Sequence, residues 1–365
     1  MNFFGNHLSR KFFLAVFLSM AATAHAQGEA FPRYDIQAAV DVETKTITAF
    51  QTTTFRNPGA QDLSEIVFHI YPNRFYTRRE KSFIQRFAGY FKVNPFPQGF
   101  QDNGMEIQSV TGDQGDLKFF IEGDDRTLLR VALARPVKAG DAVTVAIHFS
   151  AAIPNNTIGR FGWQGDVFKI SRWYPILAVF EGEKGWNRHP FYPFHRPFYS
   201  EAAFYKVALT VPADHVVAHS GELAGQRNNS DGTTTFEYDS SKPIREFSFA
   251  MSPEYRVVAE DFDGVTISSF YLPGTEKSAR AALSHAKDLM RFYGKLFGKY
   301  PYRFFSIAPV DLGYGGEQMA NLIFIDRRSY QMPGLLARYF DFLVAHETGH
   351  QWFYNLIGID EFTQM

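Results

Sequence analysis

The sequence predicts a multidomain α+β protein, with a front part of antiparallel strands in a sandwich or saddle and a back part that combines a strand with long helices. From Tyr34 to about Arg256, apolar and polar residues alternate in short runs bounded by turn residues, as in half-buried strands. From Ser278 to Phe297, apolar residues recur at the spacing of an amphipathic helix. The periodicity changes near Gly274, so we expect an N-terminal β-rich domain over 27–258 and a second domain over 259–365.

The composition excludes several classes of protein. The 365 residues include 37 Lys and Arg and 38 Asp and Glu, so the formal net charge is −1. This balance argues against nucleic acid as a partner and against electrostatic binding to a membrane surface. Cysteine is absent, which excludes disulfides, thiolate zinc sites and a cysteine nucleophile.

The N-terminal 26 residues have the pattern of a signal peptide. Arg10 and Lys11 precede an apolar stretch over 12–22, and Ala24-His25-Ala26 is a small-x-small cleavage site. We expect a mature chain that begins near Gln27, is exported to the periplasm or the exterior, and has no stable membrane insertion. The alternative is an uncleaved anchor.

The front part is predicted to consist of strands with no helix. The runs that alternate most clearly are 34–38, 44–55, 66–70, 128–133, 142–149, 203–211 and 233–238. A turn at Gly140-Asp141 separates the fourth run from the fifth, so we expect these two strands to pair.

The back part is predicted to hold two helices around a strand. Gly298 and Pro301 end the helix over 278–297, and residues 304–310 have the composition of a strand. A second helix is expected from about Pro333. It carries the motif His346-Glu347-Thr348-Gly349-His350 between apolar neighbours, listed as Phe342, Leu343, Val344, Trp352 and Phe353, and is therefore expected to be buried.

The motif places two imidazoles four residues apart. On a helix, His346 and His350 would lie one above the other, where they could bind a single cation. Two neutral nitrogens suit Zn²⁺, and a catalytic zinc site keeps one coordination position for water. Glu347 is rotated off the histidine line and could act as the general base towards that water. The alternative is a buried helix that contains two histidines by coincidence.

The run 346–355 resembles the M1 aminopeptidases, which are gluzincins with a thermolysin-like catalytic domain. The stretches 66–73 and 172–175 also look like bacterial M1 members, so the resemblance covers most of the chain after residue 26. It implies zinc as the cofactor, a peptide as the substrate, a Glu ligand at position 369 and, farther on, a Tyr that stabilises the oxyanion. Because the sequence ends at Met365, we expect a truncated enzyme that is inactive by itself. Asp360 and Glu361 are interpreted as surface residues.

The segment 314–325 occupies the place of the M1 Gly-x-Met-Glu-Asn segment, an edge strand beside the substrate whose Glu binds the free α-amine. Gly315 and Gly316 would allow the backbone to approach a peptide closely. An ungapped alignment puts Gln318 at the Glu position, a shift of one residue puts Glu317 there, and an alignment on Met319 puts Ala320 there. Glu317 is the single carboxylate in this segment, so we assign it the amine-binding role. The alternative is a solvated edge residue.

These features predict a zinc-dependent peptidase, with aminopeptidase action at peptide N-termini. Two alternatives are a zinc endopeptidase and a non-peptide hydrolase on the same centre. A third is a non-catalytic binding or scaffold protein. The sequence indicates neither the oligomeric state nor the preferred side chain.

Overall fold

The computed structural model describes residues 31–75, 81–101, 104–191, 199–332 and 337–360. The predicted signal peptide over 1–26, Pro333 and Glu361 lie outside these ranges. The described strands, in chain order, are β1 Arg33–Asp41, β2 Thr46–Arg56, β3 Leu63–His69, β4 Met105–Gly112, β5 Gly115–Asp116, β6 Phe119–Glu122, β7 Leu128–Val137, β8 Ala142–Ala152, β9 Phe161–Gln164, β10 Val167–Ile170, β11 Ile176–Leu177, β12 Phe204–Pro212, β13 Val216–His219, β14 Glu222–Asn228, β15 Thr233–Asp239, β16 Phe249–Ser252, β17 Arg256–Phe262, β18 Val265–Tyr271, β19 Phe304–Val310, β20 Gly316–Met319 and β21 Leu322–Asp326.

The described helices are α1 Pro72–Phe75, α2 Lys81–Tyr90, α3 Glu276–Phe297 and α4 Ala337–Gly349. Short 3₁₀ turns cover Gly182–Lys184 and Arg327–Gln331, and a π-helical turn covers Gln351–Leu356. The predicted α+β class is confirmed, with strands dominating the front part.

The strands of the described residues form four sheets. The largest has the order β14-β15-β12-β1-β2-β8-β4-β5, and its period-two burial shows in β1, where alternate residues from Tyr34 to Val40 are buried. Two four-stranded sheets have the orders β13-β16-β10-β9 and β11-β3-β7-β6. The fourth sheet, β17-β18-β19-β21-β20, lies in the back part and carries α3 and α4. The predicted domain boundary near residue 258 stays a prediction.

Two expectations for the front part are wrong. Strand β7 pairs with β3 and β6, whereas β8 pairs with β2 and β4, so the two predicted partners belong to different sheets. The turn between β7 and β8 is bound by Asn57, which forms hydrogen bonds with the backbone of Val137, Gly140 and Asp141. The front part also contains helices α1 and α2, which are too short for their apolar spacing to stand out from the strand pattern around them.

The two long helices lie beside the back sheet. Helix α3 buries Ala279, Ala282, Leu283, Ala286 and Met290 along one face, as its spacing predicts. Tyr293 of α3 donates a hydrogen bond to the Ala345 carbonyl of α4 at 3.2 Å. This hydrogen bond ties α4 to α3, and α4 also packs against β20 at the edge of the sheet.

Candidate metal centre

The end of helix α4 brings His346 and His350 together. Helix α4 ends at Gly349, and His350 follows in a helical conformation, with φ −66° and ψ −10°. The two Nε2 atoms are 3.2 Å apart. Of the apolar residues that flank the motif, Leu343, Val344 and Trp352 are buried, whereas Phe342 and Phe353 are exposed. The helix is therefore partly buried, with its histidine end open to solvent.

The spacing and tautomer of these imidazoles fit a tetrahedral zinc ion. Two nitrogens at about 2.0–2.1 Å from a tetrahedral zinc are about 3.3 Å apart, close to the observed separation. Nδ1 of His350 lies 3.0 Å from the Phe353 carbonyl, which can only accept, so Nδ1 carries the proton. This leaves the Nε2 lone pair for a metal. Burial, followed by the neighbouring His350, lowers the pKa of His346, which favours the neutral form that a metal requires.

The turn after the motif is what makes this tautomer possible. Phe353 and Tyr354 leave helical geometry, with φ/ψ of −98°/66° and 163°/−60°. The Phe353 carbonyl is thereby available to the His350 ring. Gln351, buried in the same turn, accepts from the Asn321 backbone at 2.8 Å and donates to the Met319 carbonyl at 3.0 Å. The segment after the motif thus holds the β20–β21 turn against α4.

Glu347 lies between the histidine pair and strand β20. Its side chain is 4% exposed, and Oε2 is buried with no hydrogen-bond partner among the described residues. A buried carboxylate without a partner is costly, so it marks a place for a ligand or water. Burial, with a further contribution from Glu317, raises the pKa of Glu347 well above its usual value. Donor atoms of His346, Glu347 and His350 all lie within 4.8 Å of one another.

The two predicted glycines hold β20 close to α4. A Cβ at Gly316 would lie 2.5 Å from Oε1 of Glu347, and one at Gly315 would lie 2.7 Å from the Tyr339 hydroxyl. Gly315 also has a φ of 107°, which side-chain-bearing residues rarely adopt. In the structure, the close approach that these glycines permit is therefore to α4. Their predicted contact with a peptide stays a prediction.

Glu317 is buried, not solvated at a sheet edge. Its Oε2 lies 3.0 Å from a guanidinium nitrogen of Arg160 and accepts a hydrogen bond from the Tyr314 hydroxyl at 2.9 Å. Burial raises the pKa of Glu317, while the Arg160 charge and the Tyr314 hydrogen bond oppose this rise. Sequence reasoning missed Arg160, because it follows β8 in a loop with no motif and reaches the site only through the tertiary fold.

These groups share one cavity of about 640 Å³. Its polar wall contains Arg160, Glu317, Gln318 and the three motif side chains. Its apolar wall is largely aromatic and consists of Phe87, Tyr90, Phe91, Tyr314, Tyr339, Phe342 and Leu343. Helix α2, which was not predicted, supplies part of this wall. Asp360 is half-buried and does not belong to the lining.

The fold resembles solved M1 zinc metallopeptidases. A crystal structure of an M1 zinc metallopeptidase from Deinococcus radiodurans matches 91% of this chain and 67% of its own, with a TM-score of 0.59 and 16% identity. A variant of an M1 zinc metallopeptidase from that organism, bound to the substrate Tyr-Ser-Ala, matches the same shares at 0.55 and 17%. No protein-family model and no curated protein matches the sequence. At this identity the likeness establishes the fold, and at that level the resemblance seen in the sequence is confirmed.

Helices of the described residues give no sign of a membrane span, since none combines the length and the apolar character that a crossing needs.

Proposed function

We propose that this protein is a zinc-dependent metallopeptidase that removes residues from the free N-termini of peptides. The observation that carries the proposal is the pair of Nε2 atoms 3.2 Å apart beside Glu347, whose buried Oε2 has no hydrogen-bond partner in the described part of the chain. Both features open into a cavity large enough for a peptide end. The fold shared with M1 zinc metallopeptidases supports the same conclusion.

In this proposal His346 and His350 would hold the metal through Nε2, and the Phe353 carbonyl keeps the His350 ring in the required tautomer. Bound zinc supplies Lewis acidity, which polarises a carbonyl and makes water more acidic. Glu347 accepts a proton from the attacking water and later delivers it to the leaving amine. His346 and His350 would supply two ligands of the zinc site, and the M1 pattern adds a third.

Glu317 supports the choice of N-terminal cleavage. An α-ammonium in the cavity would find a fixed, buried carboxylate, and a charge-assisted hydrogen bond to it would hold the peptide end in one register. The Deinococcus radiodurans structure contains the tripeptide Tyr-Ser-Ala, which is consistent with a pocket that takes short peptides in this fold. We further propose that the protein is exported after cleavage of residues 1–26, to the periplasm or the exterior.

The test compares peptides with a free and with an acetylated N-terminus, using the full-length protein and its Glu347→Gln variant. We expect hydrolysis of free peptides, loss of activity with a chelator and recovery with zinc. Glu347→Gln should lower kcat by about a hundredfold or more, because general-base catalysis contributes about 10²–10⁴-fold. Glu106→Gln, an exposed charge-matched control on β4, should behave as the wild type.

Three outcomes would contradict the proposal. Equal cleavage of acetylated peptides would favour an endopeptidase. Hydrolysis of small esters but of no peptide would favour a different hydrolase. Zinc binding without turnover of any of these would favour a binding protein.

A further inference from the structure

An ion pair joins the front part of the chain to the wall of the metal centre. Arg160, in the loop before β9, contacts Oε2 of Glu317 on β20 at 3.0 Å. Each side chain is only 7% exposed, and both line the 640 Å³ cavity. The pair is therefore shielded from water but stands where a bound peptide end would lie.

Two side chains hold one oxygen of the Glu317 carboxylate in place. Oε2 receives both the Arg160 guanidinium and the Tyr314 hydroxyl. Two donors on one oxygen fix the position of the carboxylate in the cavity wall, where a cation in the cavity can approach it.

The surrounding charges explain why a guanidinium is needed here. Burial disfavours the ionised form of Glu317, and the negative charge of Glu246 adds to this effect. Arg160 and, to a smaller extent, Arg172 oppose these effects. Without Arg160, burial and the charge of Glu246 would favour the protonated form of Glu317, and a neutral carboxyl is a weak partner for an ammonium ion.

We propose that Arg160 is a positioning residue for substrate recognition, which keeps Glu317 charged and oriented to receive the α-ammonium of the peptide. The inference rests on the proposed aminopeptidase function. The inference predicts the direction in which substrate binding changes when Arg160 is removed. A guanidinium that only neutralised Glu317 would compete with the substrate ammonium for this carboxylate. In that case its removal would improve the binding of amines.

The experiment measures kcat and KM for the full-length protein on a free dipeptide amide. We expect Arg160→Gln to raise KM about tenfold or more with a smaller change in kcat. Arg160→Lys keeps the charge and should restore KM to within about threefold of the wild type. An unchanged or lowered KM in a folded Arg160→Gln protein would overturn the proposal.

Two further variants separate this role from simple destabilisation. Arg160→Gln combined with Glu317→Gln removes the buried charge that Arg160 balances, so this double variant should fold even where Arg160→Gln alone does not. Its KM should equal that of Glu317→Gln, because Arg160 acts through Glu317. A KM raised further in the double variant would contradict the inference. Arg188→Gln, in an exposed ion-pair network outside the cavity, is the control for the loss of a positive charge.

The failure of this inference is distinguishable from the failure of the proposed function. Absence of aminopeptidase activity in the wild-type protein would contradict both the proposed function and this inference. A wild-type protein that cleaves free peptides, together with Arg160 variants that leave KM unchanged, would sink the inference alone.

Discussion

Gly316 offers a sharp test of the contact between β20 and the candidate general base. Gly316 is not at a left-handed backbone position, so alanine is compatible with its conformation. The new Cβ would lie 2.5 Å from Oε1, 2.7 Å from Cγ and 2.9 Å from Cδ of Glu347. Since Glu347 is itself buried, Gly316→Ala must displace either the carboxylate or the strand.

The size of the effect follows from these distances. The distance between two carbon atoms in an unstrained contact is at least about 3.4 Å, so Glu347 or β20 must move by roughly 1 Å. A displacement of about 1 Å at a catalytic group costs about a hundredfold in rate, because the reacting atoms lose their alignment. We therefore expect kcat/KM of Gly316→Ala to fall about a hundredfold while the zinc content stays at the wild-type level. Overpacking should also lower the free energy of unfolding by about 1–3 kcal/mol.

The assay is hydrolysis of a free dipeptide amide by the full-length protein, with zinc content and thermal unfolding measured on the same sample. Gly89→Ala is the matched control, because a Cβ at Gly89 in helix α2 meets no heavy atom within 4 Å. A folded Gly316→Ala protein with more than about half of the wild-type kcat/KM would refute the reasoning, since a 1 Å shift should not be tolerated.

Two further predictions concern stability. Burial lowers the pKa of Lys169 to about 7. Between about pH 7 and pH 9, Lys169 therefore carries a proton in the unfolded chain that it lacks in the folded protein. The contribution of this residue to the free energy of unfolding rises with pH over this range. Urea titrations should show wild-type stability rising relative to Lys169→Met by about 1 kcal/mol per pH unit, and a pH-independent difference would contradict this. Arg172→Gln leaves the buried Glu246 without its 3.0 Å partner and should cost about 3–5 kcal/mol of unfolding free energy, whereas a loss below about 1 kcal/mol would show the pair to be dispensable.

Local patterns in the sequence were sufficient for most elements of the fold. The period-two runs became β1, β2, β3, β12 and β15, and the helical spacing after residue 275 became α3. Each of these depends on which face of one segment is apolar, and this is a property of neighbouring residues. Local patterns did not determine which strands pair with each other. The β7–β8 pairing failed because Asn57 binds the turn between them and each strand finds its neighbours in a different sheet.

Some features of the candidate site also follow from the local sequence, and others depend on the tertiary structure. A helical segment places residues four apart on one face whatever surrounds it, so the histidine spacing by itself determined that His346 and His350 meet, with Glu347 beside them. Only the tertiary structure decided that the His350 ring is oriented by the Phe353 carbonyl, because the chain leaves helical geometry there. Only the tertiary structure brought Arg160 to Glu317, because an ion pair between distant segments depends on how whole sheets pack. Short-range spacing thus fixed the groups available for chemistry, and long-range packing fixed their charge, orientation and access to water.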